Sequence, residues 1–588
     1  MKQFLFYASD ENIFNEKLAE LKEHCSKNKA SSLLFHMYCG LTDKTLISKR
    51  VKTITDSFPD AAFAGVASNG EIIDGKLAKR DIIISAIVFE SSLTKVYYFD
   101  NASTKAAEIG AEIKELADKT ENVSAIELLF PGAGMDSMSI LNKASECAPD
   151  ISIFGGYPIG HDMDNDESFI ITDKKIDTDT VAVIIYSGKN LHVNADKTAG
   201  WEKLGHSFTI TNADRHRLIE VDDMPALEVY EKYLKIKQAG NFTRDTVEFP
   251  LLIIDDGEEI LRHAYSYSDD GSIYLSGNVK AGEKLYLTYG NPSGIFEQVN
   301  KRCETVRDFE PEVIFLYSCA ARKAFWGDEM AAKEIAPFGL LGSATGFFTG
   351  GELIRMGENG TVFEHNITLL SIAMREGKKK GLDLPKARID DSMLIGQAYL
   401  LKRLAQLVQS TNDELQHMNE QLSYMAITDE LTDMFNRREI ERRINFALDN
   451  ENMYKNGVGL IMLDIDHFKK VNDILGHDVG DTVLKTVASI LKETIASEKD
   501  AAVGRWGGEE FFMLLPDKTL KETIEIAEKT RKNIEVYKHK NIKRLTASFG
   551  VIHNSSEHDD KNNLYTKVDE ALYQAKSRGR NCVIAVDD

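Results

Sequence analysis

The chain has 588 residues, 43% hydrophobic and 28% charged, and its 71 Lys and Arg against 93 Asp and Glu give a formal net charge of −22. These are globular values at a length of about four domains of ~150 residues, which excludes a disordered or fibrous chain. So acidic a chain is excluded as a general binder of nucleic acid or anionic membrane, which needs clustered Lys and Arg; a local basic site for one phosphate ligand stays open. No apolar run approaches the ~20 residues that cross a bilayer, and the opening MKQFLFYASDE does not read as a secretory signal. Cys25, Cys39, Cys147, Cys303, Cys319 and Cys582 are scattered without a CxxC pair. That suits a reducing cytosol better than a disulfide framework or a zinc site. A cytoplasmic protein with no transmembrane segment is expected.

Taken in chain order, residues 1–225 alternate strand-like runs at 32–38, 81–89, 97–99, 125–130 and 180–186 with helix-like stretches such as 106–120. Residues 226–375 repeat that style, and Pro385 with its polar surroundings marks a break. Then Leu401, Leu404, Val408, Thr411, Leu415, Met418, Leu422 and Met425 follow one another at spacings of three and four with polar residues between. This heptad seam fits one amphipathic helix packed on its own domain, or a parallel coiled coil. The second is favoured, because an unbroken seam between two globular regions has little other apolar surface to face. Thr411 at a core position weakens that pairing. From Asp429 onward the pattern is again α/β. A buried strand is expected at 458–463, helix from Asn472, a hairpin at 505–515 around Gly507-Gly508, a strand at 545–553, and a last helix at 565–577 stopping at Gly579. The fold class is α/β (α+β).

Two acidic clusters fall at strand–loop junctions in the last 160 residues: Leu463-Asp464-Ile465-Asp466 and Gly507-Gly508-Glu509-Glu510-Phe511. Carboxylates at strand ends suit Mg²⁺, which takes hard oxygen ligands together with substrate phosphates. The two glycines let a ligand approach the backbone. Taken alone, the hairpin also fits a type I′ turn with solvated charges.

The stretch RWGGEEFFMLLP resembles the signature hairpin of GGDEF diguanylate cyclases, with Glu509 in the third place. Further motifs resemble that family in the right order: Asp429-Glu-Leu-Thr432…Asn436-Arg437-Arg438, Asp464-Ile-Asp-His-Phe-Lys469…Asn472-Asp473…Gly476-His477-Asp478…Gly480-Asp481, Ala547-Ser548-Phe549-Gly550, and Ala571-Leu572-Tyr573…Ala575-Lys576…Gly579-Arg580-Asn581. The resemblance covers 429–586. It implies a central mixed β-sheet flanked by helices, of the nucleotide-cyclase or palm-like kind, and conversion of two GTP to cyclic di-GMP and two pyrophosphates. It places Mg²⁺ or Mn²⁺, two per GTP site, on Asp464, the Ile465 carbonyl and Glu509. Glu510 would help hold metal or deprotonate the attacking hydroxyl, which makes Asp464, Glu509 and Glu510 the catalytic set. Asn472 and Asp481 would read the guanine edge. Lys469, Lys576 and Arg580 would neutralise the triphosphate with main-chain N–H groups near His467 and Phe468, and Gly507 and Gly508 would leave room for the nucleotide. The family often carries an RxxD product-inhibition site before the hairpin; Glu498-Lys499-Asp500-Ala501 stand there instead, so that mode of feedback is expected to be absent. The alternative to an enzyme is a catalytically silent receptor for GTP or cyclic di-GMP.

In the first 380 residues composition and spacing give only α/β. His161-Asp162-Met-Asp164-Asn-Asp166 lacks the Gly and distal Glu of an EF-hand and reads as a solvated acidic turn. Cys319 beside Arg322 is either a reactive thiol near a cation or, more commonly, a buried strand-end cysteine. Gly65-Val-Ala-Ser-Asn-Gly-Glu71-Ile72, Phe154-Gly155-Gly156, Gly200-Trp201…Gly205, Pro225-Ala226-Leu…Tyr230…Tyr233-Leu234, Ser318-Cys319-Ala320-Ala321-Arg322 and Gly346-Phe347-Phe348-Thr349-Gly350-Gly351-Glu352-Leu353 resemble the FIST sensory domain over about 30–375, where Gly-rich turns dominate. The resemblance implies a cytosolic input module for a small ligand, with amino acids proposed. Cys319, Arg322, Gly346, Thr349 and Glu352 are the candidate pocket, an Arg and a Glu suiting a ligand's carboxylate and ammonium. The expected organisation is 1–225 FIST N-terminal domain, 226–384 FIST C-terminal domain, 385–428 coiled-coil signalling helix and 429–588 cyclase. The expected assembly is a homodimer through the coiled coil and facing GGDEF domains, with GTP as substrate and no nucleic-acid partner.

Overall fold

β-Branched and aromatic runs become strands where the sequence places them, and their burial tells how many layers cover them. All eight residues of Ile82–Phe89 are buried, the signature of a strand covered on both faces. The computed structural model describes residues 1–28, 30–40, 43–78, 80–132, 135–160, 168–237, 242–356, 359–389, 395–450, 453–538, 542–554 and 561–586. The acidic turn expected at 161–166 lies outside them. The chain divides into two compact units, Met1–Asn412 and Asp413–Asp588. No described helix is long and apolar enough to cross a membrane.

In the first unit a six-stranded sheet runs in the order Lys2–Tyr7, Ile82–Phe89, Ser32–Cys39, Ala62–Ala67, Ile170–Ile171, Ile176–Asp177. Ser32–Cys39 and Ala62–Ala67 are parallel and joined through the helix Lys44–Ser57. A second sheet runs Leu191–Thr198, Leu369–Glu376, Val313–Cys319, Ser343–Met356, Ser152–Pro158, Val123–Leu129, Thr180–Ser187, Leu93–Asp100. A third is built around the 14-residue strand Trp201–Asp214 paired with Lys284–Gly290. The expected boundary at 225/226 therefore falls inside shared sheets. Ser343–Met356 pairs with Ser152–Pro158, and Leu369–Glu376 with Leu191–Thr198. Gly346, Gly350 and Gly351 do not form turns, as their clustering suggested. They lie within the 14-residue strand Ser343–Met356, with a register shift between Thr349 and Gly351. Gly346 is required by close approach, since a Cβ there would sit 1.8 Å from the Leu316 carbonyl oxygen.

The heptad stretch is helical throughout, within Ile395–Ile427. Leu404, Val408, Leu415, Met418, Leu422 and Met425 are each half exposed or more, so this part of the seam is not packed on the chain's own domains.

In the second unit a five-stranded sheet runs Ala502–Gly507, Glu510–Pro516, Val458–Ile465, Ala547–Asn554, Val583–Ala585. Alternate residues of the central strand serve two cores. Ile461, Leu463 and Ile465 pack with Val483, Leu484 and Val487 of the helix His477–Ile495 and with Ala527 and Ile534 of Leu520–Val536. Val458, Leu460 and Met462 pack with Ile440 and Ile444 of Arg437–Asp449 and with Val568 and Leu572 of Lys561–Ser577. The expected hairpin forms with Gly508 at φ 53° and Glu509 outside the positive-φ region. A type I′ turn needs both central residues at positive φ, so the turn is of another kind.

Candidate active site

The central strand Val458–Ile465 delivers Asp464 at its end, in register with Glu510 on one neighbour and Ser548 on the other. The Ile465 N–H donates to the Glu509 carbonyl oxygen at 3.3 Å. The signature turn is thereby tied to the strand end, which brings Asp464, Ile465, Glu509 and Glu510 together. Burial pushes the Asp464 carboxyl above its ordinary range; Lys576 opposes this, while Glu509 and Asp466 add to it. Burial likewise pushes Glu510 up, reinforced by the charge of Asp464. Lys576 Nζ lies 2.8 Å from Asp464 Oδ2.

Among the described residues no three His, Cys, Asp or Glu side chains are already gathered for a metal ion. The donor chemistry nonetheless fits a hard divalent cation. Carboxylate and carbonyl oxygens crowd one strand end, where, on top of burial, the charges of Asp464 and Glu509 strengthen the hold of Glu510 on its proton and those of Glu509 and Asp466 that of Asp464, a repulsion that Mg²⁺ or Mn²⁺ relieves. Lys576 presently supplies the positive charge that such an ion would bring.

Beyond the strand, His467 takes a left-handed conformation (φ 59°) and opens the helix Phe468–Leu475 with no side-chain cap. Its first N–H groups are thus left for an anion. Phe468 is buried, and His467 and Lys469 are exposed. Asn472, on that helix, lies against Gly480 so closely that a Cβ there would meet Asn472 Oδ1 at 1.9 Å. That Oδ1 is buried without a hydrogen-bond partner, an orphaned acceptor of the kind a ligand donor satisfies. Asp481 follows Gly480, exposed. Cβ atoms built on Gly507 and Gly508 meet nothing within 4 Å. Arg580 is exposed in the turn after Lys561–Ser577.

Arg505 is a part of the site that motif reading gave no role. It pairs with Asp429 at 3.1 Å, and its Nε and Nη2 donate to the Gly508 carbonyl oxygen at 3.0 and 2.8 Å. Although burial pushes the Asp429 carboxyl up, hydrogen bonds from Thr432 and the charge of Arg505 hold it below its ordinary range. Arg505 so ties the turn at Asp429 to the signature hairpin. The available signal was an Arg immediately before Trp-Gly-Gly and an Asp in a distant motif.

The candidate sensor residues have partners inside the protein. Cys319 ends its strand buried, and burial pushes its thiol far up, which makes it a poor nucleophile. Arg322 pairs with Glu334 rather than Glu352: Nε lies 2.9 and 3.1 Å from the two carboxylate oxygens, and Nη1 donates to the carbonyl oxygens of Ala199 and Ile367. Thr349 Oγ1 donates to Glu352 Oε1, and Thr368 donates to Oε2 through N–H at 3.2 Å and Oγ1 at 2.7 Å. Burial pushes the Glu352 carboxyl up to about 8.

Comparison with protein-family models matches residues 34–224 to the FIST N domain, 226–355 to the FIST C domain and 426–582 to the diguanylate cyclase, GGDEF domain. The response regulator PleD of Caulobacter vibrioides is 34% identical over 165 residues, 27% of this chain and 36% of that protein. The diguanylate cyclase DgcM of Escherichia coli is 35% identical over 172 residues, 29% and 41% of the two. The chain thus spans about two fifths of the length of these curated relatives. Among solved structures, the coiled coil and GGDEF domain of DgcB from Caulobacter crescentus aligns at 28% identity and a TM-score of 0.30, over 32% of this chain and 99% of that one. Residues 34–224, 226–355 and 426–582 belong in turn to the FIST N, FIST C and GGDEF families.

Proposed function

We propose that this chain is a cytoplasmic diguanylate cyclase, working as a homodimer under the control of a small ligand sensed by its first 384 residues. In this reading 1–225 and 226–384 are the two parts of the sensor, 385–428 is the signalling helix and 429–588 is the cyclase. The observation that carries the enzymatic part is the convergence of Asp464, Glu509 and Glu510 on one strand end beside Lys576.

The 3′-hydroxyl of one GTP attacks the α-phosphorus of the other. A new O–P bond forms, the bond to the β-phosphate oxygen breaks, pyrophosphate leaves, and the hydroxyl proton passes to Glu510 or to water. A second such step closes the ring. Divalent cations held by Asp464, the Ile465 carbonyl and Glu509 supply charge neutralisation and alignment when bound. Lys469, Lys576 and Arg580 neutralise the triphosphate, with Lys576 leaving Asp464 for a phosphate oxygen, and the N–H groups near His467 and Phe468 hold it from the other side. The orphaned Asn472 oxygen accepts from the guanine N–H edge together with Asp481, which is what favours GTP over ATP. One domain holds one GTP, so two copies must face each other. The exposed apolar seam at Leu404–Met425 supports pairing through a parallel coiled coil that raises their effective concentration.

GTP turnover by the full-length protein with Mg²⁺, its product identified by chromatography, tests this beside the double variant Glu509→Ala/Glu510→Ala. Cyclic di-GMP from the parent alone is expected. GTP binding without product, also when the stalk is replaced by a strong parallel coiled coil, would make the chain a receptor.

A further inference from the structure

Asp466 stands two residues beyond Asp464, and by residue type alone it counts among the metal-binding acids of this strand end. Its oxygens are used otherwise. Oδ1 accepts from Ser548 Oγ at 2.7 Å, and Oδ2 accepts from Thr546 Oγ1 at 2.8 Å and from the Asn581 backbone N–H at 3.0 Å. Its own N–H donates to the Thr546 carbonyl oxygen at 2.9 Å. With only 6% exposure, Asp466 therefore fastens three things together: the end of the central strand, the approach to Ala547–Asn554 and the turn after Lys561–Ser577.

That turn needs fastening. Gly579, Arg580 and Asn581 follow one another at φ 108°, 65° and 47°. Two consecutive non-glycine residues in the left-handed region are costly and persist only where their surroundings impose them. The hydrogen bond from the Asn581 N–H to the Asp466 carboxylate fixes the backbone at the turn's last residue. The far side of the turn is held as well: Asn581 Oδ1 accepts from Arg531 Nη1 at 2.9 Å, and its Nδ2 donates to Glu535 Oε1 at 3.1 Å. Between these anchors Arg580 is left with an exposed side chain, four residues beyond Lys576.

We infer that Asp466 is a positioning residue that sets the Arg580 turn against the triphosphate and takes no part in binding the cation. The inference rests on the reading of Asp464, Lys576 and Arg580 as a GTP site. Its test is a double-mutant cycle on the full chain. Asp466→Ala is expected to raise the KM for GTP about ten-fold, to change kcat by less than about three-fold and to leave the Mg²⁺ midpoint unmoved. In an Arg580→Ala background the same substitution is expected to add no more than about two-fold, because both changes remove one effect. Asp466→Asn keeps an acceptor for the Asn581 N–H and is expected to stay within about three-fold of the parent. Additive losses, or a Mg²⁺ midpoint displaced by Asp466→Asn, would overturn the inference. Should the alanine variant not fold, Asp466→Ser, which removes the carboxylate but keeps a polar side chain, takes its place in the cycle. If the parent turns nothing over, the cycle is run on the affinity for a non-hydrolysable GTP analogue by calorimetry. Additive losses there overturn the inference alone, and no nucleotide binding by the parent overturns it together with the reading of the site.

Discussion

Removing Glu334 exposes what the Arg322 environment is for. The guanidinium is fully buried, lies 5.2 Å from the Trp201 ring centroid, and has Glu334 as its carboxylate partner. Breaking a buried pair by deleting one member leaves an uncompensated charge and costs about 3–5 kcal/mol. An unfolding entropy of ~2.1 cal/mol/K per residue gives a 412-residue unit about 0.9 kcal/mol/K. Glu334→Ala should therefore lower the melting temperature of the first unit by about 3–6 °C, read by scanning calorimetry of the full chain. Arg322→Met/Glu334→Leu removes both charges and fills the space, and should recover most of that loss. A drop below about 1 °C for Glu334→Ala would refute the assignment of a structural pair. So would a double variant as unstable as the single one.

Other consequences reach the rest of the chain. Gly480→Ala places a methyl 1.9 Å from Asn472 Oδ1 and should raise the KM for GTP about ten-fold or more while the fold, followed by circular dichroism, persists. Leu415→Asp/Leu422→Asp in the exposed seam should yield a monomer in sedimentation and lose most GTP turnover, which a fused coiled coil restores. Glu71 and Glu352 are buried carboxyls pushed up to about 8. The folded state therefore keeps protons that the unfolded chain, with carboxyls at 4.5, releases. The stability of the first unit should fall as pH rises from about 4.5 to 8, by at most about 1.4 kcal/mol per pH unit for each group. Glu352→Gln should flatten that slope in melting curves at pH 5, 7 and 9. Glu498 is ion-paired with Lys518 at 2.5 Å and no Arg–Asp pair spans 498–501. Added cyclic di-GMP should accordingly leave the initial rate unchanged, and strong inhibition at low product concentration would contradict this.

What was legible in the sequence is what local pattern determines. Apolar runs mark the strands Ile82–Phe89, Thr180–Ser187 and Val458–Ile465 to within two residues, the heptad seam from Leu401 to Met425 lies inside the helix Ile395–Ile427, and Gly507-Gly508 marks the hairpin. What was not legible depends on partners far along the chain. Asp464 and Asp466 are the same residue two positions apart. One meets Lys576 and Glu510, the other Thr546, Ser548 and Asn581, and only tertiary pairing separates their roles. The run Gly346–Gly351 read as turns because glycine favours them; the neighbouring strand demands glycine for the opposite reason, a close backbone approach. Arg322 and Glu352 suggested a ligand clamp by type, yet Glu334 reaches Arg322 from across the kink at Gly327 (φ 69°, ψ 163°) that breaks Ala320–Gly339.

On the proposed reading of the first unit as a sensor, its sheets limit how a bound ligand could act. Eight residue pairs join Leu191–Thr198 to Leu369–Glu376, and Ser343–Met356 is hydrogen-bonded to both Val313–Cys319 and Ser152–Pro158. Parting these strands would forfeit many buried backbone hydrogen bonds, far more than the 1–3 kcal/mol of coupling that a ligand typically supplies. On that reading a signal would travel through smaller elements. The segment after Glu376 is the narrow point. It crosses the helix Pro292–Phe309, where Ile389 N–H donates to Asn300 Oδ1 at 2.7 Å, Arg388 pairs with Glu304 at 2.6 Å, and the Lys380 and Gly381 N–H groups donate to Glu310. Ala387 and Ile389 are buried in the core beside Ile295 and Val299 of that helix. These few contacts, unlike the sheets, are of the size that a ligand's differential affinity can make or break. They precede the helix Ile395–Ile427 in the chain, so on the proposed reading the helix Pro292–Phe309 is the element through which a bound ligand would most economically reach the stalk.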